Sequence, residues 1–233
     1  SLGKNGQTGM FNKDRRRVLV AVGVIGLVVA GIQSDLGSTG VIVVMVGAMA
    51  FIAGMPMKRI ILVGIAVVLL TSMAIISTPY RRERLATYLQ PEKNCLTTSY
   101  QACQALIAVG SGGVAGLGVG KGVQAYGYLP EAQNDSIFAI YAEKFGFLGT
   151  TLLLSLYMLL FTRLKLILER APDTFSRLLV AGVLAWLSTQ TLINVGAMIG
   201  LLPLKGITLP LVSYGGTSVL FVGAALGLVY QIS

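Results

Sequence analysis

Residues Leu178 to Leu204, LLVAGVLAWLSTQTLINVGAMIGLLPL, contain no Asp, Glu, Lys or Arg. A bilayer core about 30 Å thick is crossed by roughly 20 apolar residues in a helix, so this run is long enough to span it. Five further stretches read the same way: Val18 to Gln33, Leu36 to Met57, Ile60 to Tyr80, Ser136 to Thr162 and Gly206 to Ser233. Within them only Glu143 and Lys144 are charged. None shows the alternation of a membrane β-barrel strand, so they read as helices. The expected fold class is an all-α membrane protein, a polytopic bundle with six transmembrane helices in this chain. Composition agrees. Hydrophobic residues make up 55% and charged residues 12%, with mean hydropathy +0.78, whereas a soluble domain carries roughly 25% charged residues. A disordered tail, a disulfide mini-protein and an ordinary cytosolic enzyme are excluded.

The net charge of +9 does not signal nucleic acid, because the 18 Lys and Arg lie mostly between the apolar blocks. Lys13, Arg15, Arg16 and Arg17 precede the first block; Lys58 and Arg59 separate the second and third; Arg163, Lys165, Arg170 and Arg177 separate the fourth and fifth. If every helix crosses, all three clusters fall on one side, which is then cytoplasmic. The expected organisation is a cytoplasmic loop over 1–17, three transmembrane helices over 18–78, a long extracellular loop over 79–135, and three more helices over 136–233. Both ends of the chain are then cytoplasmic. Pro203 and Pro210 bend the last outer turn into a re-entrant segment near 203–212. Residue 1 is not Met and lies in a Gly/Lys/Asn-rich stretch that reads like the middle of a loop, so the chain is expected to be a fragment of a longer protein.

Long irregular loops are usually functional, and the 79–135 loop holds most of the candidates. Ser99 to Val109 reads as a short helix. It is followed by Gly110, Gly112, Gly113, Gly116, Gly118, Gly120 and Gly122. This run is either a mobile loop that tolerates positive φ or a backbone that lets a bulky substrate approach. Asp135 stands where the fourth span begins. It reads as an N-cap, as a carboxylate that takes a proton from a hydroxyl, or as both. Glu143 lies about 12 Å further along the helix; an ionisable group at that depth must face protein or water, and a polar cavity is expected beside it. Lys205 offers a point charge for a phosphate. The small and polar residues Ser213 to Ser218 suggest tight helix packing. Cys95 and Cys103, eight residues apart on the oxidising side, are expected to form a local structural disulfide. The chain has no His, and two Cys cannot build a zinc cluster.

Taken together, these blocks resemble the SEDS family, the FtsW/RodA/SpoVE proteins of bacterial cell-wall synthesis. Asp35-Leu36-Gly37-Ser38 is similar to the family's P-D-L-G-T/S turn, with Ser34 in place of Pro. Tyr80-Arg81-Arg82-Glu83-Arg84-Leu85 resembles the Y-R-R-x-R-L of the FtsW branch. Gln104 to Gly113 is similar to Q-S-L-I-A-I-G-S-G-G, and Tyr128 to Phe138 resembles Y-L-P-E-x-H-T-D-F-I-F. Asn194 to Ser218 resembles N-I-G-x-x-x-G-L-L-P-x-K-G-L-T-L-P-x-x-S-Y-G-G-S-S, and its Lys205 favours the FtsW branch. The resemblance covers essentially residues 18–233. It implies about ten membrane helices, six of them here, in the bacterial inner membrane.

The resemblance also implies an activity: a peptidoglycan glycosyltransferase that polymerises lipid II at the outer membrane–water interface, weighted toward septal synthesis in cell division. The essential carboxylate of the H-T-D motif falls on Asp135, while Gln133, Asn134 and Ser136 replace the flanking His, Thr and Phe. Glu143 is retained and Lys144 stands where the family often has a second Glu. Asp135 would take the hydroxyl proton. Arg81, Arg82, Arg84, Lys121, Lys205 and Ser213 are the candidates for holding substrate and its departing diphosphate. A divalent cation, Mg or Mn, could share that task. Implied partners are lipid II, a class B penicillin-binding protein, other cell-division membrane proteins and membrane lipids, with no nucleic acid. Two other readings stay open: a lipid II flippase, in which Glu143 and a central cavity outweigh Asp135, and a catalytically degraded scaffold for the transpeptidase. A fragment lacking the first helices is expected to be inactive alone.

Overall fold

A computed structural model describes residues 36–76, 95–96 and 99–233. The expected first span, Val18 to Gln33, and the basic segment with Arg81, Arg82 and Arg84 lie outside the described residues. Those described are helical, without strands. Six α-helices run in order: α1 Leu36–Ile52, α2 Met57–Ile76, α3 Tyr100–Ser111, α4 Ile137–Arg170, α5 Thr174–Met198 and α6 Gly216–Ile232. A single 3-10 turn, Gln124–Tyr126, lies between α3 and α4. Two helices, α4 and α5, are long and apolar enough to cross a membrane, and α1 and α6 are shorter apolar helices. The molecule is a membrane helix bundle.

The boundaries follow from local chemistry. α4 ends at Arg170, a cation at the negative end of the helix dipole. Ala171 is then extended (ψ 132°) ahead of Pro172, as the pre-proline residue must be. Asp173 caps α5, its carboxylate accepting from Ser176 N–H at 2.9 Å and from the Ser176 hydroxyl at 2.7 Å. At the far end of α5, Gly200 takes φ +79°, and the N–H groups of Leu201 and Leu202 turn back onto the Gly196 carbonyl at 2.8 and 3.0 Å. The chain then stays non-helical until Gly216. The last helix therefore begins at Gly216 rather than at Gly206, because Pro203 and Pro210 withhold backbone donors.

α5 is the central helix, packing on α1, α3, α4 and α6. Gly182 lets α1 lie close: a Cβ there would stand 3.2 Å from Met49 Sδ. Buried apolar residues form two clusters. One gathers Leu164, Val180, Leu187, Val222 and Val229 from α4, α5 and α6. The other joins Ala108, Phe138, Tyr157, Met198 and Leu209 around the start of α4, where the candidate site lies.

Candidate functional site

Two irregular segments meet at the start of α4, residues 130–136 and residues 203–214. Their joint is made by side chains gripping main chain. The Asn194 side-chain amide donates to the carbonyls of Asp135 and Ile207, both at 2.7 Å. Asn194 is buried on α5, so one helix fixes both segments. The buried Ser213 hydroxyl donates to the Asn134 carbonyl at 2.7 Å and accepts from Leu209 N–H at 2.7 Å. Tyr214 N–H donates to the Gln133 carbonyl at 2.8 Å. Gln190, one turn before Asn194, donates to the Thr208 carbonyl at 2.9 Å. The Tyr157 hydroxyl of α4 donates to the Pro210 carbonyl. Each segment also holds a non-glycine residue in the left-handed region, Glu131 at φ +50° and Leu211 at +65°, backbone conformations that persist only where the surroundings over-determine them.

Asp135 is half-buried in this joint. A Cβ built on Gly206 would stand 3.2 Å from its Oδ2, so the exposed, side-chain-free Gly206 leaves an approach beside the carboxylate. Lys205, the residue before Gly206, is also half-buried. The N-cap of α4 is Ser136 rather than Asp135. Ser136 is buried, its hydroxyl donating to the Pro130 carbonyl at 3.0 Å and accepting from Gln101 at 3.2 Å. The capping reading of Asp135 is corrected accordingly. Ser213, grouped above with the substrate ligands, has its hydroxyl engaged on both sides within the joint and acts as a clasp. Lys121 is exposed on the glycine-rich run.

That run does adopt the positive φ its sequence suggests, at Gly113, Gly116, Gly118 and Gly120. It is spliced into a break in α4. Gly146 adopts φ 62° and ψ −161°, which interrupts the helix. The groups released by the break are satisfied by the run. Leu117 N–H donates to the Glu143 carbonyl at 2.9 Å and Gly118 N–H to the Lys144 carbonyl at 3.0 Å. In return, Phe147 N–H donates to the Gly113 carbonyl at 2.9 Å and Leu148 N–H to the Val114 carbonyl at 3.1 Å. The glycines are needed because main chain lies against main chain: a Cβ at Gly116 would sit 2.2 Å from the Lys144 carbonyl oxygen, and one at Gly112 2.1 Å from that of Ala142.

Glu143 completes the splice. It is buried, and its Oε1 accepts from the N–H groups of Val123 and Gln124 at 3.0 and 3.3 Å. A Cβ on Gly122 would come 2.6 Å from its Oε2. Through Oε1 Glu143 faces loop amides, while its Oε2 is buried without a hydrogen-bond partner among the described residues. Cys95 and Cys103 form a disulfide that ties the chain to the first turn of α3. Among the described residues no three His, Cys, Asp or Glu side chains gather to hold a metal. Sequence reading missed Asn194, Gln190 and Tyr157 as parts of the site. The available signal was the pair of amides four residues apart inside a charge-free span, which must face protein.

Comparison with known proteins gives this arrangement its relatives. The family profile FTSW_RODA_SPOVE, described as a cell cycle protein, matches residues 2–233. A probable peptidoglycan glycosyltransferase FtsW from Saccharophagus degradans is 38% identical over 218 residues, 92% of this chain and 56% of that protein. The stage V sporulation protein E of Bacillus subtilis is 37% identical over 221 residues, 94% of this chain and 60% of that protein. Among solved structures, a peptidoglycan synthase complex described as coordinating polymerization and crosslinking superposes with TM-score 0.70 at 31% identity, over 91% of this chain and 59% of that one. The rod shape determining protein RodA of Thermus thermophilus superposes with TM-score 0.58 at 28% identity, over 90% and 54%. The chain thus spans a little over half the length of these relatives. It belongs to the FtsW/RodA/SpoVE family.

Proposed function

We propose that the protein containing this chain is a peptidoglycan glycosyltransferase that polymerises lipid II at the outer face of the bacterial inner membrane, in septal wall synthesis. The observation that carries the reading is the placement of Asp135. Its main chain is clamped to α5 through Asn194, and its carboxylate lies against exposed Gly206, next to Lys205. A carboxylate on clamped main chain at the head of a membrane helix, with the open backbone of Gly206 beside it and Lys205 one residue before that glycine, suits transfer between two lipid-linked sugars.

In the reaction, a sugar hydroxyl of one lipid-linked disaccharide forms a bond from its oxygen to the anomeric carbon of another. The bond from that carbon to the diphosphate oxygen breaks, and the lipid diphosphate leaves with the electron pair. Asp135 takes the hydroxyl proton as general base. Lys205 and Lys121 stabilise the charge that develops on the leaving diphosphate. Two relatives named peptidoglycan glycosyltransferase FtsW or stage V sporulation protein E support the reaction class and a role in wall synthesis. The peptidoglycan synthase complex supports a crosslinking partner, a class B penicillin-binding protein.

The test uses the full-length protein co-purified with its transpeptidase partner and supplied with fluorescent lipid II. Wild type should give long glycan chains on a gel, and Asp135→Ala and Asp135→Asn none, with the partner still bound. Equal products from wild type and Asp135→Asn would refute the assignment.

A further inference from the structure

We propose that Gln101 of α3 is a positioning residue for Asp135, acting through the hydroxyl of Ser136. Ser136 is wholly buried (0% exposed) and is the N-cap of α4, yet its hydroxyl makes no capping bond. A capping serine normally turns forward to accept from an amide of the first helical turn. Here the hydroxyl turns backward and donates to the Pro130 carbonyl at 3.0 Å. That carbonyl can only accept, so the hydroxyl's single proton is committed to it, and Gln101 must present its amide N–H to the oxygen at 3.2 Å. The hydroxyl is out of reach of solvent, and further chain packed on this bundle would only deepen its burial.

What the hydroxyl closes is the turn that carries Asp135. The N–H groups of Asn134 and Ser136 both donate to the Glu131 carbonyl, at 3.0 and 3.2 Å. Glu131 is the residue at φ +50°, a conformation that needs holding. Asn194 of α5 and Ser213 fasten the carbonyls of Asp135 and Asn134, and Gln101 adds a further fixing from α3. That helix is a firm mount. Ala105 and Ala108 are buried with Phe138 and Ala139 of α4, and the disulfide at Cys103 ties the same turn that carries Gln101. The motif that this stretch resembles has Phe after the carboxylate, where this chain has Ser136. A phenyl ring could make neither bond, so the Gln101–Ser136 pair belongs to this chain's own departure from the motif. One turn along α3, Gln104 offers the contrast: its Oε1 accepts from the Gln124 side chain at 2.9 Å, at the splice and not at the Asp135 turn. The inference rests on the proposed reaction for its activity readout.

The test uses the full-length protein with its transpeptidase partner and lipid II. Gln101→Met keeps the length of the side chain and removes the donor. Gln101→Met and Ser136→Ala should each polymerise about tenfold more slowly at saturating lipid II, with KM within about twofold of wild type. The double variant should be no slower than the slower single one, because the two side chains act as one unit. Gln104→Met should polymerise within about twofold of wild type. Hydrogen–deuterium exchange gives a reading apart from activity: in Gln101→Met the amides of Asn134 and Ser136 should exchange faster, and those of Val123 and Gln124 as in wild type. Losses that multiply in the double variant, or wild-type exchange at Asn134 and Ser136 in Gln101→Met, would overturn the proposal. Wild-type polymerisation by Gln101→Met beside an inactive Asp135→Asn would do the same. If Asp135→Asn polymerises, the reaction reading falls instead, and exchange at Asn134 and Ser136 decides whether Gln101 holds the turn.

Discussion

A graded alanine series along the glycine-rich run separates conformational freedom from close approach. Gly110 lies in α3, and a Cβ there meets nothing within 4 Å. Gly110→Ala should leave stability unchanged or raise it by up to about 1 kcal/mol, as alanine does in a helix. Gly118 also faces open space but has φ +91°, so Gly118→Ala should cost about 1–2 kcal/mol for the left-handed backbone alone. Gly116 combines φ +81° with a Cβ position 2.2 Å from the Lys144 carbonyl oxygen. Backbone cannot swing aside as a side chain can, so Gly116→Ala must push the run off α4. The bonds of Leu117, Gly118, Phe147 and Leu148 across the splice are then forfeit. At about 0.5–1.5 kcal/mol net for each bond, their loss comes to roughly 2–6 kcal/mol on top of the backbone strain. Gly112→Ala should behave like Gly116→Ala without the strain, since its φ is −64° while its Cβ would lie 2.1 Å from the Ala142 carbonyl oxygen. Hydrogen–deuterium exchange of the full-length protein in detergent reads the effect at the four amides directly. The expected order of exchange is Gly110→Ala, then Gly118→Ala, then Gly112→Ala and Gly116→Ala as the fastest. Exchange in Gly116→Ala no faster than in Gly118→Ala would show that these glycines are present only for flexibility, and would refute the splice.

Glu143→Leu removes the acceptor for the Val123 and Gln124 amides and should destabilise by about 2–4 kcal/mol, seen as a lower thermal midpoint and faster exchange at those two residues. Asn194→Ala orphans the carbonyls of Asp135 and Ile207 at a cost of roughly 1–3 kcal/mol. It should slow glycan polymerisation on the order of tenfold to a hundredfold by misplacing the carboxylate, with partner binding retained in co-purification. Replacing Cys95 and Cys103 by Ser opens a short loop and should cost about 2.5 kcal/mol by loop-closure entropy, measured as the shift in thermal midpoint against the oxidised wild type. Asp173 is held below the usual carboxylate range by hydrogen bonds from the Ser176 backbone and then the Ser176 side chain. Its contribution to α5 is complete above the unfolded value of about 3.9 and is lost as pH falls through the lower folded value. Asp173→Asn should therefore flatten the acid limb of a stability-versus-pH profile.

The spans were legible because α4 and α5 each carry a long charge-free run, Phe145 to Thr162 and Leu178 to Met198, whose helical state needs no tertiary information. α3 was legible from its apolar spacing and the glycines that end it. The start of α6 was legible only in part: Pro203 and Pro210 announced a bent segment near 203–212, but that the chain stays non-helical to Gly216, with Leu209 packed into the α4 core, became clear only in the structure. Asp135 stood out because it stands where a span begins and falls on the carboxylate of the H-T-D motif the chain resembles. Its surroundings did not, because the joint consists of contacts to main-chain carbonyls from residues up to 79 positions away, and no local pattern encodes such partners. The glycine run shows the same limit. Its sequence announced positive φ, and several of its glycines have it, but what the freedom serves became clear only with the break at Gly146.

The joint at Asp135 also bears on which positions can drift. What Ser213 and Tyr214 hold at positions 133 and 134 is peptide oxygen, present whatever the side chain. The Asn134 amide turns aside to Glu131 at 2.6 Å, and Gln133 is exposed. Exchanging His and Thr for Gln and Asn therefore leaves the mounting of the carboxylate untouched. The mutational constraint falls on the donors across the gap, Asn194 and Ser213, which have no such freedom.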